Sequence, residues 1–125
     1  MVIDTSALLA VYFNERHALW VLSIIESYPA APMMSTVNLS EMLILLRDRN
    51  PSGYRALSDR LVGEPIRFIP PTISQAQLAA EARSKFPLNL GDCFAYALAK
   101  EEGEPLITLD RDFKRTDIKV LLPVR

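Results

Sequence analysis

Four acidic side chains stand where an α/β chain brings carboxylates together: Asp4 in VIDTSALL, Glu41 in STVNLSEMLILL, Asp92 in NLGDCFAYALA and Asp110 in LITLDRDF. Asp4 and Asp110 follow short apolar runs that read as strands, whereas Glu41 and Asp92 precede apolar stretches of helical character. Open α/β sheets bind ligands in the crevice outside the carboxyl ends of their strands. Carboxylates converging there repel one another unless protons or cations intervene. Hard divalent cations with oxygen ligands, Mg²⁺ or Mn²⁺, are the natural partners. The pattern points to a metal-dependent enzyme.

Each acid also has a local reading. Asp4, with Thr5 and Ser6, can cap a helix. Asn38-x-x-Glu41 and Asn89-x-x-Asp92 place an acid where it can bond back to a cap and favour the helix dipole. Asp110 and Asp112 can be turn residues after a strand. Two features weigh against four independent caps. Glu41 lies before Met42–Leu46 and Asp92 before Cys93–Ala99, runs apolar on every side, so both helices are expected to be buried. Burying a carboxylate costs several kcal/mol unless a cation or donors compensate. A shared metal site accounts better for the set.

The elements that would position these acids alternate. Val2–Ile3 reads as a strand, followed by a helix from about Ser6 with Thr5 or Ser6 as its cap. A helix over Glu15–Tyr28 is expected from its apolar spacing, then a strand at Met33–Ser35 and a helix opened by Asn38. Asn50-Pro51 marks a break, with Pro51 suited to the next helix's first turn, and Ile66–Ile69 reads as a strand. Ser74-x-x-Gln77 suggests a capping box for the following helix. Asn89 opens another that should end near Gly103. Leu106–Thr108 and Val120–Leu122 complete the strands. Such alternation predicts a parallel sheet covered on both faces.

Composition narrows the chemistry. The 125 residues suit one domain, 1–125, of ordinary globular character. One cysteine, Cys93, permits no intrachain disulfide, and an early Asp4 disfavours a secretory signal, so a cytoplasmic protein is expected with no membrane span. One histidine, His17, expected on a surface helix, leaves no Ser/His/Asp triad, and with one cysteine it cannot build a structural zinc site. The net charge of −1 is unlike a typical nucleic-acid binder, but bound cations would set the local field at an acidic site. Arg111, Lys114 and Arg115, just after Asp110, are candidates for holding a phosphate backbone.

VIDTSALL, STVNLSEMLILLR, NLGDCFAYALAK and LITLDRDF, in that order, resemble the PIN domain, and more narrowly the VapC toxins of VapBC toxin–antitoxin systems. The resemblance covers nearly the whole chain, and NLGDCFAYALAK is its most specific segment. It implies a three-layer α/β/α sandwich with a central parallel sheet. Asp4 and Asp92 match the principal metal ligands, Glu41 the helical glutamate, and Asp110 the fourth acid, a place some members give to the position of Asp112. Thr5, Ser6 and Thr108 match polar supports of the site. The implied activity is Mg²⁺- or Mn²⁺-dependent cleavage of RNA by a toxin, with a homodimer and a VapB-like antitoxin as partners. Tyr12, Phe13 and Trp20 are candidate anchors for that antitoxin, with core packing as the alternative. A silent protein-binding scaffold and a nuclease of RNA maturation are the other readings. The chain departs from many VapC sequences just before Asn89, where Arg83-Ser84-Lys85-Phe86-Pro87 leaves no room for their Gly/Arg/His-bearing insertion.

Overall fold

A computed structural model describes all 125 residues. Five short strands form one parallel sheet: β1 (Val2–Ile3), β2 (Met33–Ser35), β3 (Arg67–Ile69), β4 (Leu106–Ile107) and β5 (Val120–Leu121), in the order β3-β2-β1-β4-β5. Six helices cover it: α1 (Thr5–Tyr12), α2 (Ala18–Ser27), α3 (Thr36–Arg49), α4 (Tyr54–Val62), α5 (Ile73–Lys85) and α6 (Leu90–Glu102), with a 3-10 turn at Arg111–Arg115.

Alternation along the strands sends neighbouring side chains to opposite faces. Val2, Met33 and Leu106 pack with Leu88, Cys93, Leu98 and Phe113 in one core. Ile3, Met34 and Ile107 pack with Leu8, Val21, Met42, Leu46 and Leu61 in the other. The three layers are therefore a consequence of strands that are apolar on both sides. The chain steps from β1 outward through β2 to β3, then returns to the other side of β1 for β4. The order reverses between β1 and β4, and their carboxyl ends carry Asp4 and Thr108.

Several local expectations shift. Asp4 itself, rather than Thr5 or Ser6, caps α1, accepting from the Ala7 N–H at 3.1 Å. Left-handed backbone at Asn14 and His17 keeps Glu15–His17 out of α2, so His17 sits half-buried at a helix entry instead of on a helix surface. Ser35, at the end of β2, caps α3 through the Val37 N–H at 3.2 Å, which draws Asn38 inside the helix, where it is buried. Pro51 lies in a turn ahead of α4. Thr72, not Ser74, caps α5 by accepting from Gln75 N at 3.1 Å; Ser74 instead donates to Glu101 across to α6. The run Met42–Leu46 is not buried all round: Met42 and Leu46 face the core while Ile44 is 59% exposed. Asn89 and Asp92 form a complete capping box at α6, and Gly103 ends that helix in the left-handed region.

The α5 cap is directly checkable. Thr72→Ala should lower the unfolding free energy in urea by about 1 kcal/mol, whereas Gln77→Ala should stay within about 0.5 kcal/mol of the parent. Equal effects would restore Ser74-x-x-Gln77 as the cap.

Candidate active site

The site grows from the end of β1. Asp4 is 2% exposed. Its Oδ1 accepts from Ser6 Oγ at 2.8 Å and from Ala7 N, and its Oδ2 accepts from Thr108 Oγ1 at 2.6 Å. Those two hydroxyls are themselves oriented by backbone donors at the end of β4: Leu109 N donates to Ser6 Oγ at 3.0 Å and Asp110 N donates to Thr108 Oγ1 at 3.0 Å. Asp4 and Asp110 are thus tied through one hydroxyl. Ser6 and Thr108 both donate to Asp4, whereas Thr5 donates to Glu41.

Glu41 projects from the second turn of α3 rather than from a cap. Its Oε1 accepts from Thr5 Oγ1 and from Asn38 Nδ2, both at 2.8 Å. Asn38 Nδ2 also donates to the Gly91 carbonyl at 3.0 Å. Flipping that amide would turn its oxygen toward two acceptors, so the hydrogen bonds decide its orientation. Asn38 Oδ1 is left buried without a partner, an arrangement that costs about 1–3 kcal/mol. Asp92 and Asp110 are placed by caps. The Asn89 N–H donates to Asp92 Oδ2 at 3.3 Å, and the Asp112 N–H donates to Asp110 Oδ1 at 2.9 Å. In each of Glu41, Asp92 and Asp110 one carboxylate oxygen takes these bonds and the other is uncommitted.

Electrostatics joins the four. Burial pushes the Asp4 carboxyl up to about 6 against the lowering effect of Thr108, Ala7 and Ser6, and the charge of Asp92 raises it further. Asp92 is likewise raised to about 6, chiefly by desolvation, with Asp110, Glu41 and Asp112 adding repulsion. Asp110 acts on Asp92 more strongly than Asp112 does, and Asp112 is exposed. As they stand, no three carboxylates are close enough to hold one metal ion. The donor set nonetheless fits a hard divalent cation: it is all oxygen, mutually repelling, and has free oxygens at three of its members. Closing the set on an ion takes side-chain rotation.

The remaining expected residues divide. Arg111 donates to the Pro123 carbonyl at 3.4 Å and, with Lys114 and Arg125, lines a shallow hollow that Arg115 does not join. Tyr12, Phe13 and Trp20 are half-buried against the core, with Tyr12 Oη donating to Glu64 at 2.9 Å, so core packing accounts for most of their surface. Cys93 is buried. Asn38 and Gly91 were not singled out for chemistry by their spacing; only the approach of α3 to α6 reveals them. None of the four surface hollows is lined by the four acids.

The family model for the PIN domain matches residues 1–119. The chain belongs to the PIN-domain family. Among curated proteins, this PIN chain is 36% identical to ribonuclease VapC30 of Mycobacterium tuberculosis over 98% of its own length and 100% of that protein's. It is 34% identical to a VapC ribonuclease of Mycobacterium bovis, covering 95% of this chain and 97% of the other. Among solved structures, VapC20 of M. tuberculosis, titled a sarcin–ricin loop cleaving toxin, superposes with a TM-score of 0.79 at 18% identity over 98% of both chains. A toxin–antitoxin complex from Klebsiella pneumoniae matches with a TM-score of 0.75 at 21% identity, over 96% of this chain and 94% of that one. The three-layer sandwich around a parallel sheet is the fold these PIN structures share.

The raised carboxyls have a stability consequence. Between about pH 4 and about pH 6 the folded PIN domain keeps protons on Asp4 and Asp92 that the unfolded chain releases, so metal-free stability falls as pH rises through that window and is flat above it. Asp4→Asn removes the fully buried one of the two. In EDTA near pH 8 it should exceed the parent's unfolding free energy by up to about 3 kcal/mol, and near pH 4 it should not. Urea titrations at the two pH values decide; a variant less stable at both would mean that Asp4 is held charged without penalty.

Proposed function

We propose that the protein is a metal-dependent endoribonuclease that hydrolyses RNA phosphodiester bonds, and that it acts as the toxin of a type II toxin–antitoxin pair. The observation that carries this reading is the electrostatic coupling of Asp92 to Asp4, Asp110 and Glu41 at the reversal between β1 and β4, where Thr108 links the Asp4 carboxylate to the Asp110 N–H. The relatives named as ribonucleases, aligned over nearly their full length, support it.

Asp4 and Asp92 would be the principal holders of Mg²⁺ or Mn²⁺, with Glu41 and Asp110 completing the carboxylate set. Such a cation, when bound, acidifies a water and neutralises charge on a phosphate. The chain's own part is positioning. Ser6 and Thr108 hold Asp4 in one orientation, so its oxygens present a fixed direction. Thr5 and Asn38 occupy one oxygen of Glu41 and leave the other to orient a water. The capping box fixes Asp92 at the start of α6, where the helix dipole favours an anion. Arg111 and Lys114 are the candidates for the RNA backbone.

For the partner, the groove between α1, α2 and the end of α4, apolar at Leu8, Val11, Leu22 and Ile25 and charged at Arg60 and Glu64, suits an amphipathic antitoxin segment. Exposed Ile73 and Leu90, on α5 and at the start of α6, would be covered in a homodimer. No helix is long and apolar enough to cross a membrane.

The test is cleavage of total tRNA and rRNA by antitoxin-free protein with Mg²⁺, with Mn²⁺ and with EDTA. Cutting should require the metal and fall by at least about a hundredfold in Asp4→Asn, the order seen when a group central to catalysis is removed. Intact RNA under all conditions, together with no calorimetric metal binding, would overturn the enzyme in favour of a protein-binding scaffold.

A further inference from the structure

Gly91 is helical and its φ does not demand glycine, yet a Cβ placed there would lie 2.1 Å from Glu41 Oε2 and 2.3 Å from Oε1. The Glu41 carboxylate rests directly on the Gly91 backbone, one residue before Asp92. Asn38 completes the joint: its amide donates both to Glu41 and to the Gly91 carbonyl, and its own buried oxygen has no partner. A residue chosen for stability alone would not leave that acceptor unmet. We propose that Asn38 and Gly91 are positioning residues that hold the Glu41 carboxylate beside Asp92, locking α3 to the first turn of α6 and leaving Glu41 Oε2 for the site.

The physical logic has two parts. Two donors on Oε1 fix the rotamer of a long, flexible side chain that would otherwise sample several. The missing Cβ lets a carboxylate approach the helix start, where backbone dipoles favour negative charge. Glycine in a helix is disfavoured relative to alanine, so Gly91→Ala should stabilise the protein once Glu41 no longer occupies the space. The sign of its effect therefore reports on the contact.

This inference rests on the proposed function only for the meaning of the site, and the experiment separates the two. Gly91→Ala, Glu41→Ala, the double variant and Asn38→Leu are compared with the parent chain. Thermal unfolding in EDTA should show Gly91→Ala lowering the midpoint when Glu41 is present and raising it in the Glu41→Ala background. Calorimetry with Mn²⁺ should show affinity reduced about 10- to 100-fold in Gly91→Ala and in Asn38→Leu, with no further loss when Gly91→Ala is added to Glu41→Ala. Asn38→Leu removes the orphaned acceptor but also takes a donor from the Gly91 carbonyl and from Glu41, so its midpoint should fall while Mn²⁺ affinity is lost. In RNA cleavage, kcat should fall with KM unchanged. The same shift of midpoint from Gly91→Ala in both backgrounds would overturn the positioning, as would parental Mn²⁺ affinity in both Gly91→Ala and Asn38→Leu. A parent chain that binds no Mn²⁺ would sink the metal-site reading, and the unfolding cycle alone would then decide the joint.

Discussion

A carboxylate buried at the end of the central strand is the constraint from which the rest of the arrangement follows. Asp4 cannot be solvated, so its oxygens must find donors within the protein. They find them in Ser6 two residues along the chain and in Thr108 across the sheet. Thr108 can reach only because β4 lies beside β1 in parallel register, with Ile3 opposite Ile107. The crossover that brings β4 back to β1 is thus what makes a buried charge tolerable. The same step sets Asp110 beside it, through the hydroxyl that receives the Asp110 N–H.

Capping and chemistry turn out to use the same groups. Asp4 caps α1, Asp92 belongs to a capping box, and Asp110 caps the 3-10 turn. A cap needs one carboxylate oxygen, and a carboxylate has two. Asp92 and Asp110 commit one oxygen to the backbone and keep the other free, so local structure orients the group without consuming it. Glu41 departs from this plan, being in a helix interior where no free N–H is available. Its orientation comes from side chains on α1 and α3 and from the absence of one on Gly91.

Stability and site geometry pull in opposite directions here. Burial raises Asp4, repulsion among the carboxylates raises Asp92 further, and the buried oxygen of Asn38 is unmatched. A neutral residue in place of either aspartate would relieve the first two. The compensating energy comes from the two cores, where Ile3, Met34, Ile107, Leu98 and Phe113 are fully enclosed. Strain of this sort gathered around one crevice is what an arrangement kept for chemistry looks like.

The four acids as candidates, the alternation of strand and helix, and the capping box at Asn89 and Asp92 are legible in the sequence by itself, because those signals act within a few residues. Cap positions at α3 and α5 escaped it, since Ser35 and Asn38, or Thr72 and Ser74, are equally able donors' partners until packing selects one. Strand order, the bond between residues 104 apart that holds Asp4, and the seating of Glu41 on Gly91 belong to the tertiary structure. No local propensity encodes them, because their energy exists only once distant segments have been packed within hydrogen-bonding distance.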